Sequence, residues 1–221
     1  MKREDLPAVL EIMKAEFHKW HAPIVKLIAQ KRRDPFSALI CALLSTRTRD
    51  ETTAQVCARL LARVSSPQDI LQMDLRELEK LIYPVGFYRN KARHLKELAS
   101  QLVGEFQGKV PDNLQDLLRL KGVGRKVANI VLAEGYNKPA IAVDVHVHRI
   151  SNRWGLVRTK TPEETESKLA ELLPVEYWRD YNRLLVAFGQ TLCKPLKPLC
   201  HQCPLTQWCD YYRAQSQDFR G

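Results

Sequence analysis

The chain lacks any apolar run long enough to span a bilayer. Its longest, Ala38 to Leu44, covers seven residues, where a transmembrane helix takes about twenty. The continuous apolar stretch of a secretion signal is missing as well, because Met1 to Asp5 leads into a mixed polar and apolar segment. No internal repeat, low-complexity tract or long linker appears, so any division into domains must come from packing rather than from a disordered hinge. A soluble, cytoplasmic protein without a membrane contact is therefore expected. Acids are scarce relative to bases: 25 Asp and Glu stand against 35 Lys and Arg, and the net charge of +10 favours a polyanionic partner. Half of that excess lies in residues 86–126, where nine bases, among them Arg89, Lys91, Lys121, Arg125 and Lys126, face four acids.

What is present reads as almost entirely helical. With 221 residues, the chain can bury one large core or two small ones. Apolar residues recur at helical spacing in Phe36, Leu39, Ile40, Leu43 and Leu44, and again in Leu95, Leu98, Ala99, Leu102, Val103 and Phe106. Ser66-Pro67 and Thr161-Pro162 put a capping side chain before proline at the first helical position, and Asp74-x-x-Glu77 and Thr161-x-x-Glu164 resemble capping boxes. Stops are marked by Pro84 with Gly86, by Gly108 through Pro111, and by Pro174. The apolar segment Ile141-Ala142-Val143 is expected to be a buried connector rather than a strand.

Three segments carry chemistry. The stripe Leu114, Leu117, Leu118, Leu120 is broken by Lys121-Gly122-Val123-Gly124 before a second stripe starts at Val127. This pattern predicts helix, glycine turn, helix, with Val123 tucked between the helices and backbone amides exposed at the second helix's start. Such amides can hold a phosphate without reading sequence. Arg125 and Lys126 follow directly, and positive neighbours are expected to lower the amine pKa of Lys126 towards a nucleophilic, neutral form.

Next, Asp144 stands between an apolar connector and Val145-His146-Val147-His148-Arg149. It is positioned to cap the helix beginning at Val145, a role compatible with catalysis; His146 and His148 read as core or supporting histidines. Finally, Cys193, Cys200, Cys203 and Cys209 follow Cys-x6-Cys-x2-Cys-x5-Cys, so one compact loop could surround a metal centre with four thiolates. Four-cysteine zinc sites are usually built from two separated Cys pairs, and only one Cys-x2-Cys occurs here, which favours a [4Fe–4S] cluster. Lys194, Lys197 and Arg213 suggest that the loop also touches phosphates, while Cys41 and Cys57 read as buried small hydrophobes.

In this order, Leu120-Lys121-Gly122-Val123-Gly124-Arg125-Lys126, then Val143-Asp144-Val145-His146, then the four-cysteine loop, the sequence resembles the endonuclease III branch of the helix–hairpin–helix DNA glycosylases over nearly its whole length. The resemblance implies an all-α protein of two helical domains with a cleft between them. One would be a six-helix barrel over 28–138, with the helix–hairpin–helix at about 112–135; the other would join 1–27 to 139–221 and carry the cluster loop 193–209. It implies that Lys126 is the catalytic lysine, Asp144 the catalytic aspartate, and the four cysteines the ligands of a [4Fe–4S] cluster. Lys121, Gly122, Val123, Gly124, Arg125, Asp50 and His146 are the implied DNA contacts. Arg47 stands where the family usually has a gap-filling glutamine, and Phe87 where many members have a leucine wedge. Lys121 and Val145 replace a common proline and threonine.

The implied activity is removal of oxidised pyrimidines from duplex DNA followed by β-elimination through a lysine Schiff base. A monofunctional mismatch glycosylase is the alternative enzyme, and a non-catalytic, metal-stapled DNA-binding module the alternative outside enzymes. The expected partner is double-stranded DNA with a damaged base or abasic site, engaged by a monomer that is nucleoid-associated if its source is prokaryotic.

Overall fold

The computed structural model describes residues 1–20 and 34–218, and these form helices with short connections and no strand. No helix among them is long and apolar enough to cross a membrane. Their contacts divide into two compact units, 1–20 with 141–218 and 34–140. The domain boundary expected at 27/28 falls outside the described residues.

The second unit holds α2 (Pro35–Ser45), α3 (Asp50–Leu61), α4 (Pro67–Gln72), α5 (Leu75–Ile82), α6 (Tyr88–Phe106), α7 (Leu114–Arg119) and α8 (Arg125–Ile130), which runs on as a π turn over Val131–Gly135. Its organising element is α2. Every residue from Phe36 to Leu44 is buried, which is the signature of a helix enclosed on all sides. Asp34 starts α2 by accepting from the Ser37 amide at 2.7 Å, with Pro35 at the first helical position. Around α2 pack α3, α6, α8 and the π turn. The π turn comes so close that a side chain at Gly135 would meet Pro35 Cα at 2.8 Å.

The first unit holds α1 (Leu6–Glu16), α9 (Val145–Arg153), α10 (Pro162–Leu172), α11 (Trp178–Thr191) and α12 (Asp210–Asp218). Leu6, Val9, Leu10 and Met13 of α1 bury against a core that includes Val147, Ile150 and Trp154 of α9 and Tyr181, Leu184, Leu185 and Phe188 of α11. Tyr181 is fully enclosed, and its hydroxyl pairs with Ser151 Oγ at 2.9 Å, so the ring can be buried without an orphaned polar group.

Several local expectations are met and others corrected. Ser66 and Asp69 form a complete capping box, one that the sequence pattern did not single out because its third residue is Asp rather than Glu. At Thr161 the hydroxyl accepts from the Glu164 amide at 3.2 Å, but Glu164 reaches the Lys160 amide instead of returning to Thr161. At Asp74 the carboxylate accepts from Arg76 and Glu77 amides, and no reciprocal bond from Glu77 is seen. Leu118, expected on the α7 stripe, is 38% exposed, while Leu117 and Leu120 are buried and Leu114 half-buried. Ile141, Ala142 and Val143 are buried in an irregular connector, as expected.

Candidate functional site

The turn between α7 and α8 is built from its glycines outward. Leu120 N donates to Leu117 O, and Val123 N to Leu120 O at 3.1 Å, so the chain folds back within four residues. Val123 is buried, as expected. Gly122 has φ of +77°, a conformation that disfavours any side chain. Gly124 is different: its φ is −96° and nothing lies within 4 Å of where a Cβ would stand. Neither backbone nor packing in this unit demands glycine there, which leaves the turn's outer face open to a close external approach. Arg125 and Lys126 occupy the first turn of α8, both half-buried. Lys121 is exposed, its amide held by Gln101 Oε1 at 2.7 Å and its ammonium 3.3 Å from Glu97. An exposed pair of this kind is worth little and can be exchanged for another anion.

A second assembly in the same unit joins the end of α2 to the start of α6. Arg47 and Phe87 both adopt left-handed backbone conformations, with φ of 51° and 57°. The Arg47 guanidinium carbon lies 5.5 Å from the Phe87 ring centroid, while Phe87 is 61% exposed. The two sequence-flagged residues thus come together as one exposed cation–aromatic pair. Asp50 opens α3 nearby in sequence, where its charge suits the helix dipole.

In the first unit, Asp144 caps α9: its Oδ1 accepts from the amides of His146 and Val147, each at 2.9 Å. The connector before it is fixed by Asn182 of α11, whose side-chain amide donates to Ala142 O at 2.6 Å. His146 pairs with Arg149 at 3.1 Å and His148 with Thr165 Oγ1 at 2.7 Å. Asp144 belongs to the first unit and Lys126 to the second.

The four cysteines line one pocket with Trp154, Phe188, Leu192 and Leu199. Burial pushes the thiols of Cys200, Cys203 and Cys209 up, that of Cys203 to about 11. Thiolates held in such surroundings are disfavoured unless a metal takes them. No three His, Cys, Asp or Glu side chains among the described residues are grouped as ligands of a single ion. An all-sulfur donor set of four cysteines around one pocket fits an iron–sulfur group. Arg153 donates to Cys193 Sγ at 3.4 Å and to Lys194 O at 2.7 Å, and Arg149 donates to Cys193 O at 2.8 Å. Sequence reasoning missed these two arginines; their four-residue spacing, one helical face of α9, was the available signal. It also missed Asn182, for which the pattern offers none.

The model of HhH-GPD superfamily base excision DNA repair proteins matches residues 40–175, and that of the iron-sulfur binding domain of endonuclease III matches residues 193–209. Endonuclease III of Thermotoga maritima is 48% identical over 85% of this chain and 88% of its own, and endonuclease III of Bacillus subtilis is 39% identical over 70% of each. A solved non-covalent endonuclease III–DNA complex superposes with a TM-score of 0.87 at 34% identity, covering 98% of this chain and 99% of the other. A thermostable thymine-DNA glycosylase superposes at 0.75, with 29% identity over 82% of this chain and 86% of its own.

Proposed function

The chain belongs to the endonuclease III family of base excision DNA repair proteins, and from that premise we propose that it removes oxidised pyrimidines from duplex DNA and cleaves the resulting abasic site through a Schiff base on Lys126. The observation that carries this reading is the place of Lys126: half-buried on the first turn of α8, next to Arg125, directly behind a Gly-Val-Gly turn whose outer face is open.

The chemistry then runs as follows. Neutral Lys126 Nζ bonds to C1′ of the deoxyribose; the bond from C1′ to the base breaks, and the base leaves with that electron pair and gains a proton. Loss of the amine proton and opening of the sugar ring give a protonated imine, with O4′ becoming a hydroxyl. Removal of a C2′ proton then expels the 3′ phosphate, and water returns Lys126 as the amine. Asp144 takes protons from the attacking amine and returns them to departing atoms, and its charge favours the positive character that develops at C1′. Two amide bonds to Oδ1 fix its orientation for that work. The turn amides and the positive end of α8 hold backbone phosphate beside the lesion.

The chain carries an iron–sulfur binding loop; in this reading its group is a [4Fe–4S] cluster on Cys193, Cys200, Cys203 and Cys209. When bound, the cluster supplies metal–thiolate bonds that tie the loop into one piece. Monomeric action on duplex DNA bearing a damaged base or abasic site completes the proposal.

Borohydride trapping tests it. The parent should form a covalent adduct with duplex oligonucleotides carrying an abasic site or thymine glycol. Lys126→Gln should form none, and Asp144→Asn at least about 100-fold less per minute, the lower range of general acid–base contributions. A parent that releases the base yet never traps would instead support the monofunctional mismatch reading, which the likeness to a thymine-DNA glycosylase keeps in view.

A further inference from the structure

The Arg47–Phe87 pair is held by a residue that neither the sequence reading nor the reaction above uses. Helix α2 ends at Ser45, leaving four carbonyls without helical partners. The first two are answered locally: Ala42 O accepts from Ser45 Oγ at 2.8 Å, and Leu43 O from Thr46 Oγ1 at 2.8 Å. Ser45 O accepts from the Thr48 amide at 3.2 Å. Leu44 O takes its bond from outside, from Lys91 Nζ of α6 at 2.8 Å.

The same ammonium also donates to Thr46 O at 2.6 Å and to Thr48 Oγ1 at 3.1 Å, so all three of its protons are used. It sits where the helix dipole of α2 favours a cation. Burial pushes Lys91 down to about 8, which leaves it mostly charged at neutral pH.

Two further contacts carry this hold to Phe87. Thr48 Oγ1 accepts from the Gly86 amide at 3.1 Å, and the Lys91 amide donates to Phe87 O at 3.0 Å. The strands of chain on either side are pressed together, since a side chain at Gly86 would stand 2.3 Å from Arg47 O. Lys91 thereby bonds the residues flanking Arg47 on both sides, while its own backbone anchors Phe87. Both of those residues occupy left-handed conformations that a side-chain-bearing residue leaves readily when nothing holds it.

We propose that Lys91 is a positioning residue of the DNA-reading edge, a clip whose three hydrogen bonds keep Arg47 and Phe87 preassembled to enter the duplex at an everted base and occupy the space beside its orphaned partner. This rests on the repair reading above. Without the clip each side chain must be ordered at the moment of binding, at the cost of the contact it makes.

The test compares the parent with Lys91→Met, which keeps the aliphatic stem but no donor, and Lys91→Arg, which restores charge and donors. The probe is a duplex with 2-aminopurine opposite a stable abasic analogue, whose fluorescence rises when the orphaned base is unstacked. A melting transition and cluster absorbance matching the parent's establish that each variant is folded. Lys91→Met is expected to lose at least four-fifths of the fluorescence rise and to slow single-turnover base release about tenfold, and Lys91→Arg to recover at least half of the rise. A folded Lys91→Met with the parental rise overturns the proposal, as does Lys91→Arg behaving no better than Lys91→Met. If Lys91→Met does not fold, Thr48→Val removes one of the three acceptors and the bond to Gly86. It should lose about half of the rise, and a parental signal from it overturns the proposal. Absence of any borohydride adduct in the parent would strike the Schiff-base reading on Lys126, an outcome separate from all of these.

Discussion

At the scale of single residues, the two glycines of the α7–α8 turn separate structure from function. Gly122 is needed by its own backbone, since a side chain at φ of +77° is strained. Gly122→Ala should therefore lower stability by about 1 kcal/mol. Gly124 has an ordinary φ and open space around it. Gly124→Ala should lower stability by no more than about 1 kcal/mol, the cost of a poorer cap, yet bind duplex DNA at least tenfold more weakly by fluorescence anisotropy. A Gly124→Ala protein with unchanged affinity would remove this glycine from the DNA contact set.

Asp144 allows the same separation by choice of substituent. Its cap on α9 rests on an acceptor oxygen that asparagine also supplies, so Asp144→Asn should keep its melting point while losing trapping activity. Asp144→Ala should in addition lose about 1 kcal/mol of stability. Equal destabilisation by the two substitutions, in chemical unfolding, would show that charge rather than the cap holds this helix start.

Among the elements, the starts and stops of helices were the most legible features, because each depends on a few adjacent residues. Pro67 and Pro162 sit at first helical positions as their sequence contexts imply. Reciprocal capping was less legible. A carboxylate three residues on can bond a neighbouring amide equally well, as Glu164 does with Lys160.

The cap at Ser66 shows what the paired form contributes. Asp69 accepts from the Ser65 and Ser66 amides, at 2.7 and 3.0 Å, and from the Ser65 hydroxyl. The Ser65 bonds, backbone first, hold its carboxyl below the usual carboxylate range. A carboxyl lowered in the folded state stabilises above its unfolded pKa and loses that contribution as pH falls through the folded value. Stability curves of the parent and Asp69→Asn should thus differ at pH 6 and converge as pH falls below the unfolded value of about 4 and through the lowered folded value. A difference that persists at low pH would assign the effect to packing instead.

Longer-range contacts between elements left little trace in the sequence. Lys91 reads as one more base in a basic stretch until the end of α2 is placed against it, and Asn182 as one more polar residue until Ala142 O is found within reach. Arg47 and Phe87 lie forty residues apart in the chain, so only the fold shows that they stack. The exposure of Leu118 is an error of the same origin. A leucine on a helical stripe is buried only if a neighbouring element covers it, and here none does so fully.

For the molecule as a whole, the all-helical architecture and the three candidate segments could be read in advance, because hydrophobic period, a glycine turn and cysteine spacing are local signals. Each segment is held by the unit that contains it. The turn rests on the enclosed helix α2, the Asp144 cap on the α9–α11 core, and the cysteine loop on Arg149 and Arg153 of α9. Charge distribution is the one global property that matters for encounter: a net +10 draws the chain to DNA from solution, with an attraction that falls steeply with salt.

The central claim is that one amine, Lys126 Nζ, bonds to the sugar. The most direct measurement is to reduce the complex of the parent with abasic duplex DNA, digest it with nuclease and protease, and locate the sugar remnant by mass spectrometry. The account predicts the remnant on the peptide containing Lys126. A remnant on Lys91 or on the Met1 amine, or no remnant at all, would contradict it.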